Sequence, residues 1–588
     1  MIVRRARLAG ALLLSFMALP LRAAGVPPAR FEDPERRAKL AAAFPEVEKI
    51  LAEAVEKQHM PGAAVGVVVD GELVFSKGFG VRDLATKAPP DADTAFRIAS
   101  MTKSFTAIAI LKLRDEGKLS LDDAVSKYVP ELRDLAAATG DAPAITIRHL
   151  LSHSEGFPED NPWGDRQLAV NDETLSRWLK AGIPFSNAPG VAFEYSNTGF
   201  AILGCVVARV SGVRYRDYVD KNVLRPLGMT STFWEKAAAP KDRLAKGYRR
   251  EGDGWVEEPD LADGAYGAMG GLYSTVRDLA RYTSFFLSAW PPRDGPETGP
   301  IRRSSAREMQ QVARFIGSAA TRDTVDGPLR MSAGGYDYGL GTSRTCRFRS
   351  VVGHAGGLPG YGSTMRWLPE HGVAIVALGN ITYAGWGRAA LNALEALDKT
   401  GALKPRVPQP SEALLAAQAG VNKLILEPWS DTVADGFAAD NLFLDTSKEK
   451  RKAAFAELRA KHGACKPAGP IDAENALRGS WKLACDRGSI RVTITLAPTL
   501  PARVQHLEST SALPLSEGLA RAADGLATPA AWGRCTRGEV LQGDGETTSV
   551  VRLDCERGRL DAEITLDKAS GGLSSSKLSP AEDEACVP

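Results

Sequence analysis

The alternation of apolar and polar residues near the start of the chain predicts a helix followed by a β-hairpin. From 37 to 58, apolar residues recur at the spacing of an amphipathic helix. Two strand-like runs, at 63–69 and 72–80, are joined by Asp70-Gly71, a dipeptide that favours the positive φ angles of a tight turn. These two strands are therefore expected to pair with each other.

The pattern changes to helices and loops from about residue 100 to residue 290. Strand patterns return at 351–353, 363–368 and 373–378, and a helix at 387–398 ends this part. Early strands, a helical middle and late strands predict an α+β fold. We expect one antiparallel sheet built from both ends of this domain, with the middle forming a mostly helical lobe.

A linker and a smaller second domain are predicted beyond this sheet. The 588 residues are too many for one hydrophobic core. Three closely spaced prolines mark 399–410 as a linker, which separates a first domain at 36–398 from a C-terminal domain at 411–588. Helical patterns occupy 411–426 and 448–462.

The C-terminal domain contains an internal repeat, in which 463–496 aligns with 533–566. Alternating apolar residues in each copy predict strands, so the repeat is interpreted as a duplicated β-rich unit. Each copy would be closed by its own disulfide, worth about 3 kcal/mol in the chain-entropy model. The sequence alone leaves the pairing open, and Cys586 has no counterpart. The two bridges would be Cys465–Cys485 and Cys535–Cys555.

Composition and charge narrow the class of partner. Hydrophobic residues make up 44% and charged residues 24%, as in ordinary soluble globular proteins. The net charge is +2, and no region is dominated by Lys and Arg, so a nucleic-acid partner is not expected. The composition therefore favours a small-molecule or peptide substrate.

The N-terminus has the pattern of a secretory signal. Arg4, Arg5 and Arg7 precede an apolar run at 8–21, and small residues follow at 23–25. A single membrane anchor is the alternative, although the run is short for a bilayer span. With a signal at 1–24 and seven cysteines, the protein is expected to be periplasmic or secreted.

The first candidate for chemistry is Ser100-Met-Thr-Lys103, which leads into an apolar helix. A serine hydroxyl needs a neighbouring base, and a spacing of three places Lys103 one turn further along the same helix face. Burial would lower the lysine pKa towards that of a useful base. The spacing alone is weak, since Ser447–Lys450 and Ser574–Lys577 share it in polar surroundings.

Two further elements add polar groups of the right kinds. Tyr195-Ser-Asn197 precedes an apolar helical run, and a phenol near an ammonium can act as a base while an amide orients a substrate. A buried Tyr and a helix-capping Asn are the structural alternative. In His354-Ala-Gly356-Gly357, the glycines allow close backbone approach and the Gly357 N–H could serve an oxyanion hole. His354 could hydrogen-bond the phenol or guide a proton, and a structural loop histidine is the alternative.

These three elements, in this order, resemble the serine β-lactamase and penicillin-binding protein superfamily. The resemblance is closest to its class C-like branch, which also holds esterases and D-amino-acid peptidases. Phe96–Ser100, Ile147–Pro158 and Gly270–Leu279 also look like the family. The resemblance covers about residues 40–398 and leaves the C-terminal repeat outside.

The resemblance implies a role for each matched residue. Ser100 would form the acyl-enzyme, and Lys103 and Tyr195 would shuttle its proton. The N–H groups of Ser100 and Gly357 would bind the oxyanion, and Asn197 would help to hold the substrate. No metal or organic cofactor is required by this mechanism.

One departure bears on the substrate. Many β-lactamases have Lys-Thr-Gly where this chain has His354-Ala-Gly356, which lacks the charge and the hydroxyl that favour a carboxylate. We therefore expect an exported serine hydrolase acting on an ester, an amide, a D-amino-acid peptide or a β-lactam, with efficient β-lactam hydrolysis disfavoured. The alternative is an envelope protein or sensor that penicillin acylates with little turnover.

Two weaker hypotheses remain. His149 and His153 are four residues apart on a predicted helix, a spacing that can bind metal, but the glutamate of an HExxH motif is absent and no metal site is predicted. The C-terminal domain could dock the enzyme to cell-envelope material, or it could only stabilise the chain.

Overall fold

The protein is described by a computed structural model covering residues 27–240, 242–322, 324–325 and 329–581. The signal predicted at 1–24 and the unpaired Cys586 lie outside these residues. None of the helices within the described ranges is both long and apolar enough to span a bilayer.

The first part of the chain contains an antiparallel sheet and a helical lobe. The helices are α1 (Arg36–Ala41), α2 (Phe44–Lys57), α3 (Thr102–Asp115), α4 (Ile147–Leu151), α5 (Asn161–Gly164), α6 (Asp172–Ala181), α7 (Asn197–Ser211), α8 (Tyr215–Val219), α9 (Gly267–Gly270), α10 (Val276–Ser288), α11 (Arg303–Glu308) and α12 (Gly387–Asp398). The strands are β1 (Gly62–Val69), β2 (Glu72–Gly80), β3 (Phe96–Arg97), β4 (Tyr248–Glu251), β5 (Gly254–Glu257), β6 (Tyr273–Ser274), β7 (Arg314–Arg322), β8 (Leu329–Tyr336), β9 (Gly341–Thr345), β10 (Val351–Leu358), β11 (Tyr361–Leu368) and β12 (Val373–Gly379).

The predicted sheet from both ends of the domain is confirmed. Within the described residues its strand order is β2-β1-β12-β11-β10-β9-β8-β7, with antiparallel pairing throughout. Strand β1 is buried along its whole length because both faces are covered. Ala64 and Val68 face the core of the helical lobe, whereas Val65 and Val67 face the core formed with α2 and α12.

Three strands of this sheet were not predicted. The sequences of β7, β8 and β9 are rich in Gly, Ala, Ser, Thr and Arg, and their side chains are largely exposed. Their sequences do not alternate between apolar and polar residues, so they give no strand signal. These segments form strands because they pair with each other and with β10. β10 also extends to residue 358, so His354–Gly357 lie inside a strand rather than after one.

Two helix predictions need correction. The helix expected at 37–58 is divided into α1 and α2, because Pro45 occupies the first turn of α2 and its ring would clash with a continuous helix. α4 ends at Leu151, and His153 follows it with a φ of +51°, so His149 and His153 do not share a helix face.

The residues of the predicted linker are fixed to the first part of the chain. Val407 forms a bridge with Arg30. The guanidinium of Arg406 donates to the carbonyl oxygens of Leu287, Trp290 and Pro369 at 3.0–3.4 Å. Arg406 and Val407 are therefore bound to the first part of the chain.

The C-terminal part is a β-rich region with helices packed on it. Its helices are α13 (Glu412–Leu426), α14 (Asp431–Phe437), α15 (Leu442–Asp445), α16 (Lys448–His462) and α17 (Glu517–Asp524). Its strands are β13 (Cys465–Pro467), β14 (Asp472–Asn475), β15 (Arg478–Cys485), β16 (Ser489–Leu496), β17 (Val504–Ala512), β18 (Cys535–Gly543), β19 (Thr548–Cys555), β20 (Gly558–Leu566) and β21 (Leu573–Pro580).

The duplication predicted from the sequence is visible in this region. The two units meet where β17 and β18 share a single parallel bridge, Ala512–Gly543, and each unit has its own hydrophobic core. Both expected disulfides are formed, and each closes a sequence separation of 20 residues. The pairing that the sequence left open is therefore within each copy: Cys465–Cys485 and Cys535–Cys555.

Candidate active site

Ser100 and Lys103 lie where the chain enters the helical lobe. Ser100 belongs to a short 3₁₀ turn at Ala99–Met101, and Lys103 is in the first turn of α3. Lys103 is fully buried, and its Nζ lies 3.0 Å from the Oγ of Ser100. Ala99 has a φ of +50°, a left-handed conformation that costs an alanine about 1–2 kcal/mol and aims the following residue.

The Lys103 amine is held by two further acceptors. Its Nζ donates to the Oδ1 of Asn197 at 2.7 Å and to the carbonyl O of Met269 at 2.9 Å. A neutral amine has two N–H bonds and one lone pair. If these two acceptors take the N–H bonds, the lone pair is left for the Ser100 hydroxyl, which is the arrangement of a general base and its nucleophile.

The surroundings of Lys103 favour that neutral form. Burial lowers the pKa of Lys103 to about 7, although the carboxylates of Asp165 and Asp160 oppose the shift. An ammonium in this position would lose most of its hydration without a carboxylate in direct contact. Near neutral pH a substantial fraction of the lysine is therefore unprotonated.

Tyr195 lies beside the same pair. The centre of its ring is 4.8 Å from the Lys103 Nζ. Burial raises the pKa of the Tyr195 phenol well above its usual range, while a side-chain hydrogen bond with Ser100 opposes the rise. The phenol is therefore protonated, which makes Lys103 the stronger base and leaves Tyr195 as a hydroxyl that can pass a proton.

Asn197 is fixed from both sides. It is the first residue of α7, and its backbone N–H donates to Asp160 Oδ1 at 2.6 Å. Its Nδ2 donates to Asn161 Oδ1 at 3.1 Å, while its Oδ1 accepts from Lys103. The amide orients the lysine rather than capping its own helix, because the N-cap acceptor of α7 is Ser196.

His354 is uncharged, and both of its ring nitrogens have partners. Its Nδ1 is 2.5 Å from the carbonyl O of Ala355 and its Nε2 is 2.9 Å from the Tyr336 hydroxyl. A carbonyl can only accept, so Nδ1 carries the hydrogen and Nε2 accepts from Tyr336. Burial lowers the pKa of His354 to about 3, and the nearby Lys103 acts in the same direction.

The two glycines bring β10 against the turn that carries Ser100. A Cβ on Gly356 would lie 2.1 Å from the carbonyl O of Ile98 and 2.5 Å from the Oγ of Ser363. A Cβ on Gly357 would lie 2.7 Å from the ring of Tyr383. Gly356 therefore permits a contact with the turn that no other residue allows, and Gly357 lies beside the cleft.

A cleft of about 1000 Å³ opens over these groups. Strand β9 pairs with β10 only at residues 351–353, so the edge of β10 from His354 to Leu358 is free of that neighbour. Ser100, Tyr195, His354, Gly356 and Gly357 all line the cleft. In the part of the chain that the structure describes, no group of three or more His, Cys, Asp or Glu side chains is placed to hold a metal ion.

The Beta-lactamase family model matches residues 47–399 of the chain. This protein belongs to the β-lactamase family. It is 30% identical over 343 residues to protein flp of Staphylococcus aureus (strain COL), which covers 57% of this chain and 63% of that protein. It is 25% identical over 350 residues to penicillin-binding protein 4* of Bacillus subtilis (strain 168), covering 56% and 70% respectively.

A solved structure extends the likeness in fold beyond the family region. The octameric penicillin-binding protein homologue from Pyrococcus abyssi aligns with a TM-score of 0.51 at 22% identity, covering 92% of this chain and 98% of that chain. The likeness is one of fold alone at this identity. The chain spans less than two thirds of the length of protein flp, the relative at 30% identity.

This β-lactamase-family cleft also contains groups that the sequence analysis did not assign. Tyr336 of β8 holds His354, and Asp165 follows α5 and lines the cleft. Tyr336 comes from one of the unpredicted strands, so its position had no signal in the sequence. Asp165 follows a short helix whose start, at Asn161-Pro162, was equally unassigned.

His153 supports the site from behind. It is fully buried, its Nδ1 accepts from the backbone N–H of Ser196 at 3.1 Å, and its ring centre is 4.2 Å from that of Tyr195. Its spacing from His149 had suggested a metal ligand. The contacts instead show a histidine that packs against Tyr195 and fixes the segment leading into α7.

Proposed function

We propose that the protein is an exported serine hydrolase that acts through an acyl-enzyme on Ser100. The observation that carries this proposal is the position of the Lys103 amine, 3.0 Å from the Ser100 hydroxyl and within hydrogen-bond distance of two other acceptors, which can take both N–H bonds of its neutral form. The membership of the β-lactamase family supports the same reaction class.

In the acylation step, Lys103 Nζ takes the proton of Ser100 as Oγ forms a bond to the substrate carbonyl carbon. The carbonyl π electrons move onto oxygen, where the N–H groups of Ser100 and Gly357 stabilise the charge. When the intermediate collapses, the bond to the leaving group breaks. The Tyr195 hydroxyl gives that group a proton and recovers one from the Lys103 ammonium.

Deacylation repeats these transfers with water as the nucleophile. The Lys103–Tyr195 pair accepts the water proton as the hydroxide adds to the acyl carbon. Ser100 leaves as its alkoxide and takes that proton back, which releases the acid product. His354 has no proton acceptor or donor free for either step, because its nitrogens are engaged with Ala355 and Tyr336.

The proposed substrates are esters, amides and D-amino-acid peptides rather than molecules with a carboxylate next to the reacting bond. The neutral His354 stands where a charged lysine of the family's Lys-Thr-Gly motif would attract such a carboxylate. Hydrolysis of β-lactams is therefore expected to be inefficient.

A second candidate is a penicillin-binding protein that is acylated but turns over slowly. The likeness to penicillin-binding protein 4* of Bacillus subtilis favours it, because that name describes binding. The two candidates share Ser100 acylation and differ in the rate of hydrolysis.

Export and an envelope role complete the proposal. Two disulfides are typical of proteins from oxidising compartments, which supports a periplasmic or secreted location. The C-terminal region would add contact with cell-envelope material.

Labelling and turnover of the full chain test this function. The protein would be incubated with a fluorophosphonate probe, a fluorescent penicillin and p-nitrophenyl butyrate, alongside Ser100→Ala. Ser574→Ala is the matched control, because Ser574 also has a lysine three residues later but lies in the exposed strand β21. We expect Ser100→Ala alone to lose labelling and turnover, while equal activity in all three proteins would overturn the assignment.

Penicillin labelling separates the two candidates. Stable labelling without ester turnover would favour the slow penicillin-binding protein, and rapid ester turnover supports the hydrolase.

A further inference from the structure

Asp165 is a buried carboxyl group whose hydrogen-bonding capacity is only partly used. It is 2% exposed and lines the cleft. Its Oδ2 accepts from the Tyr383 hydroxyl at 3.0 Å, whereas its Oδ1 has no hydrogen-bond partner among the residues that the structure describes. A buried carboxylate with a single neutral donor is poorly stabilised, so a charged donor in place of that hydroxyl would bind it more strongly.

The position of Asp165 connects it to the reacting groups. It directly follows α5, and Gly164 packs against the side chain of Asn197, the acceptor for Lys103. Its partner Tyr383 packs beside Gly357 on the opposite wall. The carboxyl group therefore lies between the helical lobe and the end of β10 that borders the cleft.

The charges around this end of the cleft favour a cation. Burial raises the pKa of Asp165 to about 6, and the charge of Lys103 opposes this rise. The nearby carboxylates of Asp160 and Glu159 raise it further. Its carboxylate form is thus available at neutral pH. Across the cleft on β10, His354 is neutral and adds no positive charge.

Among the described residues that line the cleft, the permanently charged cation is Arg366, and its side chain points away from Asp165. Arg366 is next to Met365 on β11, and successive side chains of a strand point to opposite faces. Met365 pairs with His354 and belongs to the core of the helical lobe, so Arg366 faces the other side of the sheet. Arg366 therefore points away from the helical lobe, the side on which Asp165 lies.

We propose that Asp165 binds a protonated amino group on the substrate, so that the enzyme prefers acyl groups with a free amine near the reacting carbonyl. This rests on the proposed hydrolase function and specifies its substrate class. Because Oδ1 is enclosed, the ammonium would reach the carboxylate by replacing the Tyr383 hydroxyl. Tyr383 is 49% exposed, so an outward rotation of its side chain would lead into solvent.

The alternative is that Asp165 serves only as a counter-charge for Lys103. In that case its removal would change catalysis of all substrates alike. An amine-binding carboxylate instead discriminates between substrates that differ only in that amine.

The test is a binding measurement that does not depend on turnover. Full-length Ser100→Ala protein would be titrated by calorimetry with D-alanine anilide and with N-acetyl-D-alanine anilide. A charge-assisted hydrogen bond in a partly buried site is expected to favour the free amine by about tenfold or more. We expect this preference to disappear when Asp165→Asn is added, and to persist with Asp141→Asn, an exposed carboxylate in a loop, as the matched control.

Tyr383→Phe provides a second variant in case Asp165→Asn folds poorly. It removes the hydroxyl that occupies Oδ2, so the free amine should bind more tightly, by about threefold or more, while the acetylated compound is unaffected. Equal affinity of the two anilides for the Ser100→Ala protein would overturn the proposal, as would a preference that survives Asp165→Asn.

Catalysis is then measured separately with D-alanine p-nitroanilide and its N-acetyl form. Selective binding of the free-amine anilide without its hydrolysis would support the amine site and contradict the hydrolase function. Turnover that depends on Ser100, with no difference between the two anilides in binding, would contradict the amine site alone.

Discussion

The hydroxyl of Tyr336 donates to the Nε2 of His354 at 2.9 Å. Because of this bond, Nε2 accepts and the hydrogen of His354 is on Nδ1. His354 is therefore not available to transfer a proton. Ser100, Lys103 and Tyr195 remain as the groups that can react, and His354 becomes an uncharged part of the cleft wall.

Replacing Tyr336 with Phe should therefore disturb the site without removing a reacting group. His354 would lose its donor and could rotate towards Tyr195, so kcat for p-nitrophenyl butyrate is expected to fall by about threefold to tenfold, a loss of about 1 kcal/mol. KM should change less. Tyr218→Phe is the control, because the buried Tyr218 hydroxyl meets no hydrogen-bond partner in the described part of the chain. Similar losses in both variants would count against the positioning role.

The pH dependence of the reaction should follow the lysine. Burial lowers the pKa of Lys103 to about 7, and the groups around it are Asp165, Asp160 and Tyr195. Below that pH the ammonium has no lone pair, so kcat/KM for a neutral ester should fall about tenfold per unit of pH and should level off above it. A rate that is flat between about pH 5 and 9 would be inconsistent with an amine base.

Asn197→Asp should shift the fall of kcat/KM at low pH, the acid limb of the pH profile, to higher pH. A carboxylate placed at 2.7 Å from Lys103 Nζ would stabilise the ammonium and raise the pKa of Lys103. We expect the limb to shift upwards by about one pH unit or more, with less activity at neutral pH. Asn171→Asp, at the N-cap of α6, is the matched control because Asn and Asp cap equally well; an unmoved or lowered limb would contradict the geometry.

Gly356→Ala should damage the cleft through packing. Its Cβ would meet the Ile98 carbonyl and must push β10 away from the turn that carries Ser100. Overpacking of this kind costs about 1–3 kcal/mol of folding stability. We expect the loss of activity to exceed the loss that the lower melting temperature alone would cause. In Gly341→Ala the new Cβ would lie 3.6 Å from the carbonyl O of Gly335, an ordinary contact distance, so a comparable loss there would argue against the close-contact explanation.

The local parts of the site could be predicted from the sequence. The spacing of Ser100 and Lys103 is a property of one helical turn, and the hairpin of β1 and β2 was predicted from two strand-like runs joined by Asp70-Gly71. Both features depend only on neighbours in the chain.

The non-local parts could not. Strands β7 to β9 exist because they pair with β10, not because their sequences favour strands, and they bring Tyr336 to His354. Asp165 reaches the cleft through packing of α5 on α7. Burial also changed the expected chemistry, since it keeps the phenol of Tyr195 protonated and makes Lys103 the base.

The disulfides should stabilise the C-terminal region and leave the active site alone. Each closes a separation of 20 residues, for which the chain-entropy model gives about 3 kcal/mol. Replacing both cysteines of one bridge by Ser should therefore lower the denaturation midpoint of the C-terminal region. Ester hydrolysis in the folded state should be unchanged, and a large loss of kcat/KM at a temperature where the region is folded would show that it contributes to the cleft.

The central claim is that Ser100 forms a covalent acyl-enzyme with Lys103 as its base. Mass spectrometry of the full-length protein, quenched in acid within its first turnovers of p-nitrophenyl butyrate and then digested, tests it most directly. We expect one added butyryl group on the peptide that contains Ser100, no adduct in Ser100→Ala and a greatly slowed appearance in Lys103→Ala. Hydrolysis that proceeds with no adduct, or with the acyl group on another residue, would contradict the mechanism.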